Sequence, residues 1–239
     1  MIKSLTSYLW LVLTGFVFSF FMFRLNRTIV IGRSNLATCR NRLIIANHLT
    51  MIDSWFITAA CVWPEAVRRP NLLPWHIPEA NNFFRNRFLA FMCRCWRCIP
   101  IERGSGDFFK QQLTVILERL RQGSLMIFPE GTRSREPKSG QLQRWHHGAT
   151  VVAQQAKPIV VPVAIRGVED ILPIGHCWPR LFKTVVIVIG KPMDLHTCYV
   201  DDPKVAHALI AKQMERRLQS VLHKASAIFD HLQSTSLNT

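Results

Sequence analysis

Leu43-Ile44-Ile45-Ala46-Asn47-His48-Leu49-Thr50-Met51-Ile52-Asp53 is the stretch from which both the fold and the chemistry can be read. Leu43 to Ala46 is a short unbroken apolar run of the kind that forms a buried strand. Residues five apart on an ideal helix are about 140° out of line, so His48 and Asp53 cannot share a helical face. The spacing therefore predicts His48 in the turn after the strand and Asp53 in the first turn of the next helix. There Asp53 can accept the Nδ1 proton of His48, fix its tautomer and leave Nε2 free to take a proton from a hydroxyl. This is the serine-hydrolase arrangement with a substrate hydroxyl in place of serine. Without any chemistry, the same residues would serve as a helix N-terminal aspartate and a satisfied turn histidine.

A second stretch, Leu125-Met126-Ile127-Phe128-Pro129-Glu130-Gly131-Thr132-Arg133, adds an anion site. Pro129 ends the apolar run, and Gly131 allows a tight turn that gathers backbone N–H groups and Arg133 in one place. Arg133, with Arg135 and Arg144 nearby, can hold phosphate oxygens bidentately. Glu130 either shapes this turn, paired with an arginine, or contacts the hydroxyls of an acceptor. His146 and His147 either line the acceptor site near Arg144 or form a solvated pair after a loop.

The two stretches resemble the first and third motifs of the glycerolipid acyltransferase family, which includes the lysophosphatidic acid acyltransferases. Cys98-Ile99-Pro100-Ile101-Glu102-Arg103-Gly104 resembles the second motif, whose arginine is Arg103, and Ile159 to Ile165 resembles the fourth. Outside these blocks, Gly167 to Pro173, Pro179-Arg180-Leu181-Phe182 and Ile187 to Pro192 are similar to the tafazzin branch. The resemblance implies His48 and Asp53 as catalytic residues, and Glu130, Gly131, Thr132, Arg133 and Arg103 as binders of a phosphate-bearing substrate. It implies transfer of an acyl chain onto the free hydroxyl of a lysophospholipid, with an intact phospholipid as donor and no cofactor. Thr132 and Arg133 depart from animal tafazzins and match enzymes that acylate small phosphate-bearing acceptors from a thioester, so acyl-coenzyme A stands as an alternative co-substrate. A non-catalytic lipid-binding protein on the membrane surface is the reading of another class, and the intact His48, Asp53, Glu130 and Arg133 argue against it.

The rest of the chain fits a membrane setting. Ser4 to Phe23 carries no charge and would measure about 30 Å as a helix, enough to cross a bilayer. No small-x-small cleavage site follows, which argues against a cleaved signal peptide. Lys3 precedes the stretch and Arg24, Arg27, Arg33, Arg40 and Arg42 follow it, so the catalytic domain is expected on the cytoplasmic side if the segment spans, which for a bacterial protein is that of the inner or plasma membrane. Of 239 residues, 30 are Lys or Arg and 15 Asp or Glu, a net charge of +15 that calls for an anionic partner. In Asn82 to Arg94, phenylalanines alternate with arginines as in a helix lying at an anionic lipid surface, and no nucleic-acid-binding module is visible. The cysteines of Cys93-Arg94-Cys95-Trp96-Arg97-Cys98 lack a second close pair or a well-spaced histidine, so no metal site is expected and reduced thiols are the default.

Strand-like runs at Thr28–Ile31, Leu43–Ala46, Asn71–Trp75, Cys98–Ile101, Ser124–Phe128, Ile159–Ile165 and Thr184–Ile189 alternate with helical segments. Among those segments, Phe109 to Leu120 and Ile210 to Phe229 hold clear helical spacing. The fold expected is α/β: a single domain with a central, mostly parallel or mixed sheet of about seven strands covered by helices, behind an N-terminal hydrophobic membrane helix. The domain plan is a membrane anchor over 1–27, a catalytic domain over 28–233 and a disordered tail over 234–239. The sequence sets no oligomeric state.

Overall fold

The computed structural model describes residues 5–36, 41–102 and 106–237. Its centre is a six-stranded mixed sheet made of β1 (Arg27–Ile31), β2 (Arg42–Ala46), β3 (Pro74–His76), β4 (Ser124–Ile127), β5 (Ile159–Arg166) and β6 (Thr184–Ile189). The strand order is β1-β6-β5-β2-β4-β3, with β5, β2, β4 and β3 parallel to one another and the β1–β6 pair reversed against β5. Strand β2 is buried at every residue, between the parallel strands β5 and β4; its Leu43–Ala46 run is apolar, and Arg42 at its start bonds to Ser124 Oγ (3.1 Å).

Helices cover both faces. Helix α1 (Leu5–Phe20) and α2 (Asp53–Val62) lie on one side, where Ile44, Met126, Val163 and Ile187 meet Phe56, Ile57 and Trp63. The short α3 (Arg87–Cys95) docks against α1. On the other side α4 (Gly106–Gln122), α5 (His147–Ala156) and the long α6 (Pro203–Leu237) pack on Leu43, Ile45, Leu125 and Val160 through Ile116, Leu120, Val152, Ile210, Met214 and Leu218. This is the layered α/β arrangement expected from the alternation of periods.

Three details differ from the sequence expectation. The run Cys98–Ile101 is not a seventh strand. It makes only isolated bridges, Cys98 to His76 and Ile101 to Glu79, because Pro78 and Pro100 lack the N–H groups that a continuous ladder needs. The neighbouring run Asn71–Trp75 enters the sheet only from Pro74, since Pro70–Leu72 form a 3-10 turn. Helix α6 extends through Leu237, well into the segment 234–239 read as a disordered tail. No Gly or Pro interrupts it there, and the hydroxyls of Ser234 and Thr235 donate to the His231 carbonyl.

Helix α1 continues as a π-turn over Phe21–Leu25, and Leu5–Leu25 is long and apolar enough to cross a membrane. Helix α1 is also packed on the rest of the chain. Trp96 Nε1 donates to Thr14 Oγ1 (3.1 Å), the Tyr8 hydroxyl donates to Val67 O (3.0 Å), and Phe18 stacks on Trp55 with ring centres 4.1 Å apart. At Gly15 the helix lies directly on Trp63, where an added Cβ would stand 2.3 Å from the indole ring. The outward side of the helix, Leu5, Leu9, Leu13, Val17 and Phe20, is exposed.

Candidate active site

Strands β2, β4 and β5 run in the same direction, so the turns that follow them gather at one end of the sheet. The first of these turns begins with Asn47. Its buried side-chain amide donates to Ile165 O (3.0 Å) and accepts from Ile165 N–H (2.9 Å), so a side chain continues the β2–β5 pairing past the last residue of β2. His48 follows in the turn, and Asp53 is the first residue of α2, as the five-residue spacing predicted.

Asp53 is fully buried and organises the whole turn. Its carboxylate accepts from His48 Nδ1 (2.9 Å), from the N–H groups of Leu49 and Thr50, and from Thr50 Oγ1 (2.7 Å). A carboxylate with this many donors is held in one rotamer, at the start of helix α2. Thr50 was not among the candidate residues. The Thr50-x-x-Asp53 spacing carries the signal, because a carboxylate three residues on can reach back to the N–H and hydroxyl of the threonine. The other face of the imidazole stacks on Phe128, with ring centres 4.3 Å apart and planes 18° off parallel. With Nδ1 committed to Asp53 and the His48 side chain 17% exposed, Nε2 is the nitrogen left for a substrate.

The turn after β4 brings the second group. Gly131 has φ 63°, a left-handed conformation suited to glycine, and its N–H closes the turn on Phe128 O (3.0 Å). The His146 ring packs beside it, so a Cβ at position 131 would crowd the imidazole at 3.1 Å. Glu130 points inward. Its Oε1 accepts from His48 N–H (2.8 Å) and its Oε2 from Gln143 N–H (2.9 Å), which leaves it 2% exposed. Burial pushes its carboxyl up from the ordinary range, against the pull of those two N–H donors. Glu130 thus shapes the turn and fixes the backbone of His48. Ser134 N–H donates to His48 O (2.7 Å), a second tie between the two turns.

Thr132 is exposed and Arg133 half-buried at this opening. Among the described residues, the guanidinium of Arg133 has no hydrogen-bond or ion-pair partner, and Arg135 and Arg144 are exposed nearby in the chain. Arg103 lies outside the described residues. The two histidines separate: His146 packs against Gly131, whereas His147 Nδ1 lies 2.9 Å from His207 Nε2. No cluster of three or more metal-ligating side chains exists among the described residues, and five of the six cysteines described are buried or half-buried free thiols.

Below this rim, Arg166 Nη1 meets Glu169 at 3.2 Å, and the same guanidinium donates to Pro137 O in the polar loop that follows Arg133. Burial raises the Glu169 carboxyl to about 7 despite its partner.

A chain with this geometry can be compared with known proteins. Over 159 residues it is 26% identical to the N-acylphosphatidylethanolamine synthase of Arabidopsis thaliana, spanning 64% of this chain and 55% of that protein. Over 164 residues it is 24% identical to the tafazzin of Drosophila melanogaster, spanning 66% of this chain and 41% of that one. A 96-residue stretch, 40% of this chain, is 37% identical to a chloroplastic 1-acyl-sn-glycerol-3-phosphate acyltransferase of Arabidopsis thaliana and covers 26% of it. The chain thus spans about half the length, or less, of the curated relatives it matches. In fold it matches the crystal structure of the 1-acyl-sn-glycerophosphate acyltransferase PlsC of Thermotoga maritima, with a TM-score of 0.62 over 90% of this chain and 79% of that one, at 18% identity. The acyltransferase family model covers residues 27–166, which runs from the first strand through the His48 and Glu130 turns to the end of β5, and the chain belongs to that acyltransferase family.

Proposed function

We propose that the protein is a membrane-surface O-acyltransferase that moves a fatty acyl chain onto the free hydroxyl of a lysophospholipid. The observation that carries this reading is the 2.9 Å contact between His48 Nδ1 and a fully buried Asp53, beside an opening that presents an unpartnered Arg133. His48 Nε2 removes the hydroxyl proton while Asp53 stabilises the imidazolium. The oxygen bonds to the donor carbonyl carbon, and the tetrahedral intermediate then expels the donor's oxygen or sulfur, which takes the proton back from His48. Arg133 holds the acceptor phosphate. Gly131 N–H is already bonded within its turn, which leaves the N–H groups of Thr132 and Arg133 as this turn's donors for the oxyanion. The outward apolar side of α1, and Phe88, Leu89 and Phe91 on α3, face lipid, and the excess of basic residues meets anionic headgroups.

Two donors fit. The similarity to tafazzin and the tafazzin-like segments after β5 support an intact phospholipid, which makes the protein a transacylase that remodels phospholipids. Thr132 and Arg133, and the similarity to the chloroplastic acyltransferase, support a thioester donor such as acyl-coenzyme A. Acyl transfer to a radiolabelled lysophospholipid by detergent-purified protein, with either donor alone and His48→Ala beside it, separates these readings. Transfer from phospholipid without coenzyme A supports the transacylase, and transfer only from the thioester supports the second reading. Labelled phosphatidylethanolamine in the same assay reveals N-acylation, the product that the first relative's name implies. Lipid binding with no transfer from either donor moves the protein to a non-catalytic class.

A further inference from the structure

We infer that the loop Pro173–Lys183 is a further membrane-inserting element, and that its occupant is the headgroup–acyl boundary of an anionic leaflet. The inference rests on the membrane-surface reading above. Trp178 and Phe182 are each 83% exposed, and Ile174 and Leu181 are exposed between and beside them. Large apolar side chains gathered in one patch mark a contact surface, whereas isolated ones do not.

The loop is held in this posture. Phe182 has φ 59°, a left-handed conformation that is unusual and strained for a bulky residue. It is kept there by bonds to the end of the anchor: Phe182 N–H donates to Leu25 O (2.9 Å), Lys183 N–H to the buried Asn26 Oδ1 (3.0 Å), and Arg27 N–H to Lys183 O (2.9 Å). At the other side Arg180 N–H donates to Ile171 O (2.8 Å). The backbone is therefore tied down while the aromatic side chains stand in solvent, the opposite of what local packing alone would select.

Position and charge identify the occupant. The loop leaves the end of β5 and returns at the start of β6, so it lies at the same end of the sheet as His48. Its bonds to Leu25 and Asn26 set it beside Phe20 and Phe23, the exposed end of the apolar helix, and so continue that surface. Arg180 and Lys183 in the loop and Arg24 and Arg27 next to it supply cations, and the loop contains no acidic residue. Aromatic side chains rimmed by arginine and lysine suit the interfacial zone of an anionic bilayer, with rings in the acyl boundary and cations at phosphates. An insertion here brings the leaflet to the rim of the active site.

The test uses the full chain in phosphatidylcholine–phosphatidylglycerol vesicles that carry brominated acyl chains. The difference in tryptophan quenching between wild type and Trp178→Phe isolates position 178. Quenching of that component by bromine, with protection from aqueous iodide, is the expected result; full iodide access and no bromine quenching overturns the inference. A second arm compares Trp178→Ala/Phe182→Ala with wild type on a vesicle-resident acceptor and on a water-soluble short-chain lysophospholipid. The variant is expected to lose about tenfold on the vesicle acceptor, roughly the value of burying one such side chain, and nothing on the soluble one. Equal rates on both acceptors would overturn the inference while leaving the enzyme reading intact. Absence of transfer by the wild type would remove the enzyme reading while the quenching arm still decides the loop. Binding of a soluble protein at the loop, with no lipid quenching, would also overturn it.

Discussion

The two turns that build the candidate site use their carboxylates alike and leave different side chains open, an imidazole in one and a guanidinium in the other. After β2, Asp53 gathers the imidazole, two N–H groups and a hydroxyl, so that one nitrogen of His48 is left over. After β4, Glu130 is equally buried and takes up two N–H groups, yet its neighbour Arg133 is left without a partner. The difference teaches where to look for substrate. Groups satisfied inside the protein position the chemistry, and groups left unsatisfied at the opening meet the ligand.

Substitutions can break this contrast, beginning with the largest effect. His48→Ala should lower turnover by about 10³-fold with membrane association unchanged, measured as initial rate and vesicle co-sedimentation; a rate within a few-fold of wild type would sink the base assignment. Glu130→Gln keeps shape but sets an NH2 group against one of two backbone N–H donors. It should destabilise the fold by about 1–3 kcal/mol in denaturant and slow turnover. A raised KM with unchanged stability would instead put Glu130 on the acceptor. Arg133→Ala should raise KM for the phosphate-bearing acceptor about tenfold, leave kcat and the thermal midpoint close to wild type, and be partly repaired by Arg133→Lys.

The smallest effect concerns the third buried carboxylate. Glu169 has one oxygen on Arg166 and the other, Oε2, without a partner. Its folded-state pKa is raised to about 7, above the ordinary 4.5, so the folded state binds the proton more tightly. Stability from this group is therefore present below about 4.5 and is lost as pH rises to about 7. Glu169→Gln should flatten the fall in stability that the wild type shows between pH 5 and pH 8 in thermal unfolding. A difference of the opposite sign would show that the Arg166 pairing outweighs burial.

The local parts of the site were legible in the sequence because they rest on local rules. A buried apolar run, a five-residue spacing and a proline–glycine turn place His48, Asp53 and Arg133 without knowledge of the rest of the chain. The inward turn of Glu130 was not legible, since it depends on N–H groups 82 residues back and 13 residues on. Cys98–Ile101 read as a strand because apolar β-formers dominate it, and only its partner's Pro78, together with Pro100, shows why the ladder fails. The serines and threonines after His231 suggested a tail by composition, yet two of their hydroxyls fold back onto that residue's carbonyl and the helix continues. Apolar content announced α1 as a membrane-length helix, but composition does not distinguish a side left exposed from a side that rests on tryptophans.

Gly15 gives that last contact a meaning for selectivity. A catalytic domain on a loose tether would bob above the bilayer and sample hydroxyls at many altitudes. Seating α1 on Trp63 without a spacer atom joins helix and domain rigidly. On the proposed membrane reading, His48 would ride at one depth, the distance from an acceptor's hydroxyl to the far end of its hydrocarbon tail would become a gauge, and a single missing methyl group would set its zero.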